Sequence, residues 1–253
     1  MLAAMKTLPV FLCLAFAVTL HAEWSVSESD PVPTANPALR HVHKVLENGT
    51  GAEMDILFFS TRELSLRVVD NPGNALALDE AMEKAGCLAG VNGGFFHPDN
   101  TPLGLLVSGG RTIHPLEHAK LLSGLVVATA RRTSLLRTGE LKSTKGIQQA
   151  IQAGPFLVDH GRAVAGLNGR RAAARTVVAT DGGGHFAIIL CRVVTLAEMA
   201  QILAQPGILT ELKVERALNL DGGSSSAMWV RSGPGFYSPE RKCVRNFLAI
   251  VPR

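Results

Sequence analysis

The segment Asn219-Leu220-Asp221-Gly222-Gly223-Ser224-Ser225-Ser226 sets a carboxylate at the end of an apolar run and follows it with two glycines and three serines. Glycines let backbone amides approach a ligand closely, and hydroxyls both donate and accept hydrogen bonds. The stretch therefore suits a polar, oxygen-rich ligand. It is not a nucleophile elbow, because G-x-S-x-G from Gly222 would need glycine where Ser226 stands. It also lacks the Gly-Lys-Ser/Thr ending of a phosphate-cradling P-loop. An esterase using Ser224 to Ser226 is accordingly disfavoured.

Three other glycine-rich stretches follow apolar runs. In Asn92-Gly93-Gly94-Phe95-Phe96-His97, two glycines permit a sharp turn and Asn92 offers an acceptor and donors at a strand end. The same residues are equally compatible with an Asx-type turn whose phenylalanines enter the core. Gln152-Ala153-Gly154-Pro155 forces a turn that presents Gln152 or backbone amides. Asp181-Gly182-Gly183-Gly184 reads as a β-hairpin connection. Arg175, just before that hairpin, fits anion recognition or a solvated strand end beside Arg170 and Arg171.

The elements that must position these residues are mostly short strands. Residues 41–46, 55–59, 64–69, 103–107, 124–128, 150–152, 156–158, 176–180, 186–193, 217–220 and 244–251 are apolar or alternating and are bounded by Gly, Pro or polar turns. Two helices are expected. One covers residues 75–84, with Asn74 as N-cap and Gly86 as stop. The other follows the Thr195/Glu198 capping box and ends at Pro206-Gly207. Strands and helices do not alternate as βαβ units, so the fold class is α+β, a single domain of mixed or antiparallel sheets with few helices.

Composition bounds the function classes. At 47% hydrophobic and 18% charged residues, the 253-residue chain is a folding sequence. The net charge of +4 comes from scattered Lys and Arg with no basic tract interleaved with aromatics, so no nucleic-acid partner is expected. Residues 1–22 read as a secretory signal, with Lys6, an apolar run from Leu8 to Leu20 and a small-residue exit at His21-Ala22. The run is shorter than the roughly 20 residues of a membrane span, so no stable span is expected, although an uncleaved anchor stays open. Residues 23–38, with Pro31, Pro33 and Pro37, read as a linker, and 39–253 as the domain. Cys87, Cys191 and Cys243 allow at most one disulfide, and no paired spacing suggests zinc.

The motifs Asn92 to Phe96, Gln152 to Pro155, Arg175-Thr176 and Leu220 to Ser225, in this order, resemble the phosphodiester glycosidase domain, with Val244 to Leu248 as a family-like closing strand. The similarity runs from about Leu39 to the C-terminus. Ser224 departs from the family's usual third glycine after Asp-Gly-Gly. The resemblance implies an exported hydrolase that cuts between a sugar's anomeric carbon and a phosphodiester oxygen in an envelope or extracellular glycan. The competing class is a non-catalytic protein that binds or helps export polysaccharide.

Phosphate is a good leaving group, so anion stabilisation should outweigh acid catalysis. The resemblance then makes Arg175 and Arg245 the anion clamp, assisted by amides near Gly93, Gly94, Gly222 and Gly223, with Gln152, Gly154, Ser224 and Ser225 lining the substrate. Asp221 faces the sugar and stabilises positive charge, activates water or attacks directly. Asn92 joins it in the catalytic set, and His97 is a candidate proton donor. No cofactor is expected, although Asp221 with Asn92 offers oxygen ligands for calcium.

Overall fold

The structure is a computed structural model that describes residues 23–233 and 235–253. The leader expected over residues 1–22 lies outside the described residues. In chain order the strands are β1 (Ser25–Val32), β2 (Leu39–Glu47), β3 (Ala52–Ser60), β4 (Leu64–Asp70), β5 (Ala89–Asn92), β6 (Leu106–Ser108), β7 (Arg111–His114), β8 (Gly124–Thr129) and β9 (Thr133–Arg137). They continue with β10 (Ile147–Ala153), β11 (Phe156–Asp159), β12 (Arg162–Ala163), β13 (Ala173–Thr180), β14 (His185–Val194), β15 (Arg216–Asn219), β16 (Met228–Val230), β17 (Phe236–Ser238) and β18 (Asn246–Pro252). The described residues also form two α-helices, α1 (Leu78–Lys84) and α2 (Leu196–Ala204).

The strands form an eight-stranded sheet, β1-β2-β3-β14-β13-β15-β11-β12, and two five-stranded sheets, β7-β6-β10-β8-β9 and β17-β16-β5-β18-β4. Every strand pair is antiparallel, including β13 with β14 across the Asp181 turn. The large sheet is covered on both faces, which explains why Phe186 to Cys191 is an unbroken apolar run. Phe186, Ile188 and Leu190 pack towards the two smaller sheets with Val126, Ile151, Val91 and Leu248. Ala187, Ile189 and Cys191 pack on the opposite side, under Met199, Ile202 and Leu203 of α2. The expected α+β class is therefore the observed one, with mostly sheet.

Helix α2 starts where its capping box requires. The Thr195 hydroxyl accepts from the Glu198 N–H at 3.1 Å, and the Glu198 carboxylate accepts from the Thr195 N–H at 2.8 Å. Helix α1 starts three residues later than expected, with Ala77 rather than Asn74 as its N-cap. Pro72 to Asn74 instead forms a 3-10 turn, and Asn74 takes a left-handed φ of 52° that a helix cannot use.

The segment read as a linker holds β1. Most of its residues are exposed, so burial left little pattern to read, yet Trp24 before it is buried and β1 pairs with β2 along its length. The strand expected from 103 begins at Leu106 because Gly104 takes a positive φ of 84°. Cys87, Cys191 and Cys243 are all free thiols. The first two lie in separate cores, and burial pushes the Cys191 thiol up to about 12.

Among the described residues, no helix is long and apolar enough to cross a membrane.

Candidate functional site

The glycine-rich motifs meet where strands of different sheets end. Asn92 closes β5, Arg175 and Thr176 lie in β13, Asn219 closes β15, and Asn246 opens β18. Asn246 fixes the turn after Asn92: its backbone carbonyl accepts from the Gly93 N–H at 2.9 Å and its side-chain oxygen from the Gly94 N–H at 2.8 Å. A Cβ on Gly93 would fall 1.9 Å from that side-chain oxygen, so only glycine fits this approach.

This turn also holds Asp221 by its backbone. The Asp221 N–H donates to the Gly93 carbonyl at 3.1 Å, and the Asn92 amide donates to the Asp221 carbonyl at 2.8 Å. The Asn92 side-chain oxygen accepts from the Thr176 hydroxyl at 2.6 Å and from the Ala227 N–H at 3.1 Å. The Thr176 carbonyl accepts from the Leu220 N–H at 2.8 Å. Asn92 is thus buried with both ends of its amide occupied. It positions Asp221, and its oxygen faces Thr176 and Ala227 rather than a calcium site shared with the Asp221 carboxylate.

The Asp221 carboxylate accepts from the Gly222 N–H at 2.8 Å. Burial raises its pKa above the ordinary aspartate value, while hydrogen bonds from Ser225 and Gly222 and the charge of Lys242 pull it partly back down. Lys242 also lies over the Phe96 ring, 5.5 Å from its centre, and its backbone N–H donates to the Ser224 carbonyl. Nothing in the sequence marked Lys242, since its approach to Asp221 depends on the loop after β17 folding back.

Arg175 is half-buried beside the same turn. A Cβ on Gly222 would lie 3.7 Å from a terminal nitrogen of its guanidinium. Its Nε donates to the Val194 carbonyl at 3.1 Å and its other terminal nitrogen to the Arg171 carbonyl at 2.7 Å. Among the described residues no carboxylate pairs with it. Burial lowers its pKa first and the neighbouring Arg171 charge second.

The remaining candidates fall outside this centre or support it indirectly. Arg245 is buried and ion-paired with Asp70, at the mouth of the β4–β18 pair. Gln152 is buried, and its amide holds the 103–122 segment through Leu105, Glu117 and Leu122. Gly154 lets that segment pass, since a Cβ there would lie 2.1 Å from the Leu121 carbonyl. His97 is exposed on a turn closed by its bond to the Thr101 carbonyl.

Beside Asp221, the turn Gly223 to Ser226 walls a cleft of about 670 Å³. The opposite walls are Ala172 to Ala174 with Leu190, Arg192 and Val193, and Ser238 to Arg241. Ser224 is exposed at its edge, Ser225 is turned towards Asp221, and Ser226 is buried.

Fold and site together define a β-rich α+β domain in which turns at strand ends gather Asp221, Lys242 and Gly222 with the neighbouring Arg175. The chain belongs to the phosphodiester glycosidase family, whose model matches residues 85–251. Among solved structures it is similar to the zebrafish N-acetylglucosamine-1-phosphodiester alpha-N-acetylglucosaminidase catalytic domain auto-inhibited by its pro-peptide. That likeness has a TM-score of 0.65 at 18% identity, covering 89% of this chain and 88% of that one. A hypothetical protein from Synechocystis is similar with a TM-score of 0.57 at 16% identity, covering 85% of this chain and 62% of that one, so this chain spans less than two thirds of that protein. A protein from Burkholderia pseudomallei has a TM-score of 0.57 at 14% identity, covering 83% of this chain and 74% of that one. At these identities the likenesses show the fold. No curated protein matches the chain.

Proposed function

We propose that the protein is an exported hydrolase that cleaves the bond between a sugar's anomeric carbon and the oxygen of a phosphodiester in an envelope or extracellular glycan. The observation that supports this reading is a buried Asp221 of raised pKa followed by Gly222, against which the Arg175 guanidinium lies. Arg175 binds the phosphate and stabilises the charge that builds on it as the carbon–oxygen bond breaks. The Gly223 amide and the exposed Ser224 hydroxyl add neutral donors there.

Asp221 takes a proton from the water that attacks the anomeric carbon. Its raised pKa favours this role over that of a spectator carboxylate. The phosphomonoester leaves as an anion and needs no strong acid, so one carboxylate is enough. Lys242 offsets part of the cost of ionising the buried Asp221, and Asn92 holds its backbone in place. The leader-like run Leu8 to Leu20 supports a working location outside the cytoplasm.

The test is hydrolysis of a methyl diester of N-acetylglucosamine 1-phosphate by the wild type, Asp221→Asn and Arg175→Gln. Loss of the base should lower kcat by about 10²–10⁴. Loss of the guanidinium should lower it by about 10²–10³. Turnover that survives both substitutions would remove the proposed centre, and sugar binding without any turnover would favour a polysaccharide-binding protein.

A further inference from the structure

A second cationic pocket, which the hydrolysis does not use, lies at the far end of β18 from Asp221. Asn246 opens that strand beside the glycine turns, while its last residue, Pro252, and the following Arg253 line the pocket. At about 3.3 Å of rise per residue, the strand sets the two places roughly 20 Å apart. The charged side chains on the pocket walls are Arg67, Arg132 and Arg253, with no acidic side chain among them. Among the described residues none of the three has a carboxylate within ion-pair distance. Even with the α-carboxylate of Arg253 counted against it, the pocket keeps a net positive charge. Like charges gathered in this way repel one another, and an anion between them relieves the repulsion.

The walls are held in place by contacts that do not involve a ligand. The Arg253 guanidinium donates to the Thr61 carbonyl in the turn between β3 and β4. It also donates to the Ala130 and Arg131 carbonyls, both at 3.2 Å, in the turn between β8 and β9. Thr129 closes that second turn: its N–H donates to the Arg132 carbonyl at 2.9 Å, and its hydroxyl accepts from the Arg132 N–H at 3.2 Å. The backbone of Arg132 is thus ordered before any ligand arrives, which lowers the entropy lost on binding. Gln149 adds a neutral donor. Its side-chain oxygen accepts from the Val68 N–H at 2.9 Å, which fixes the amide's orientation and leaves its NH2 group without an acceptor among the described residues. At about 270 Å³ the pocket is smaller than those that enclose whole ligands, and it suits one charged group of a longer molecule.

We infer that this pocket is a second anion site, which takes a phosphate or carboxylate group of the glycan chain at a distance from the bond that is cut. The polymer in this inference rests on the glycosyl-phosphodiester reading; the anion site stands on Arg67, Arg132 and Gln149 alone. Attachment at two points raises affinity for a long anionic chain without altering the chemistry at Asp221.

The first measurement needs no turnover. Calorimetry with inorganic phosphate is made on Arg175→Gln, so that the guanidinium beside Asp221 does not contribute. Phosphate should bind, and adding Arg67→Gln with Arg132→Gln should weaken it by about tenfold or more. Both arginines are exposed, so these substitutions leave the core intact. Arg131→Gln is the control: it removes the same charge from an exposed neighbour that does not line the pocket, and it should change affinity by less than about twofold. Absent phosphate binding, or an equal loss from Arg131→Gln, would overturn the site and leave only diffuse surface charge.

The second measurement tests the polymer. Long-chain inorganic polyphosphate should bind the wild type about tenfold or more tighter than the Arg67→Gln/Arg132→Gln protein. Polyphosphate affinity that survives this pair of substitutions, with phosphate binding lost, would show a site for free phosphate and overturn the second attachment point. Hydrolysis of the methyl diester of N-acetylglucosamine 1-phosphate by the same variant should match the wild type, since that substrate is too short to reach the pocket. A loss of kcat there would show that the pocket acts on the catalytic centre and would overturn the inference. Anion binding intact in a protein that hydrolyses no diester would keep the anion site and remove the proposed reaction.

Discussion

Asp221 occupies a position where ionisation is expensive, and the surrounding residues determine how expensive. Burial raises its pKa above 3.8, so the folded protein holds that proton more tightly than the unfolded chain does. The ionised form therefore subtracts from stability. The penalty is absent below the unfolded pKa, grows as pH rises through the raised folded pKa and is constant above it. Asp221→Asn should accordingly raise Tm at pH 7, and the gain should shrink as pH falls towards 4. Thermal melts of both proteins across this range check the sign, and a lower Tm for the variant at neutral pH would contradict it. The carboxylate itself was legible in the sequence, because an acidic residue before two glycines at the end of an apolar run is a local pattern. Lys242 was not, since its approach to Asp221 depends on residues far away in the chain.

At the scale of elements, Asn92 ties β5 to β13 and to both ends of the 221–227 turn through a single side chain. The sequence allowed either a ligand-facing Asn92 or a turn-forming one, and its spacing could not show that all its hydrogen bonds would be spent inside the protein. Asn92→Ala would leave the Ala227 N–H and the Asp221 carbonyl buried without partners. A loss of about 1–3 kcal/mol in unfolding free energy is expected, read from denaturant titration with an unchanged slope. A cost near zero would mean that the turns are held by other contacts. Helix α2 was readable because its capping box is local. The start of helix α1 was not, because it depends on a residue distant in the chain: the Glu240 carboxylate accepts from the Leu78 N–H at 2.9 Å.

For the molecule as a whole, three sheets share the work: the large one supplies Arg175 and Asn219, and the smaller ones supply Gln152, Asn92 and Asn246. Alternation and apolar runs announced an α+β fold of mixed or antiparallel sheets, but β1 escaped notice because it is an exposed edge strand with little burial to pattern its residues. Its attachment is testable through Trp24, which is 4% exposed and packs in the core under α2. Trp24→Ala should cost about 3–5 kcal/mol of unfolding free energy, whereas a true linker would tolerate the change. The central claim concerns which bond the assembled site breaks. Hydrolysis of the methyl diester of N-acetylglucosamine 1-phosphate in water enriched in heavy oxygen, followed by mass spectrometry of both products, reads this directly. Attack at the anomeric carbon predicts the label in the released sugar and none in methyl phosphate. Label in the phosphate product would show cleavage at phosphorus and contradict the account.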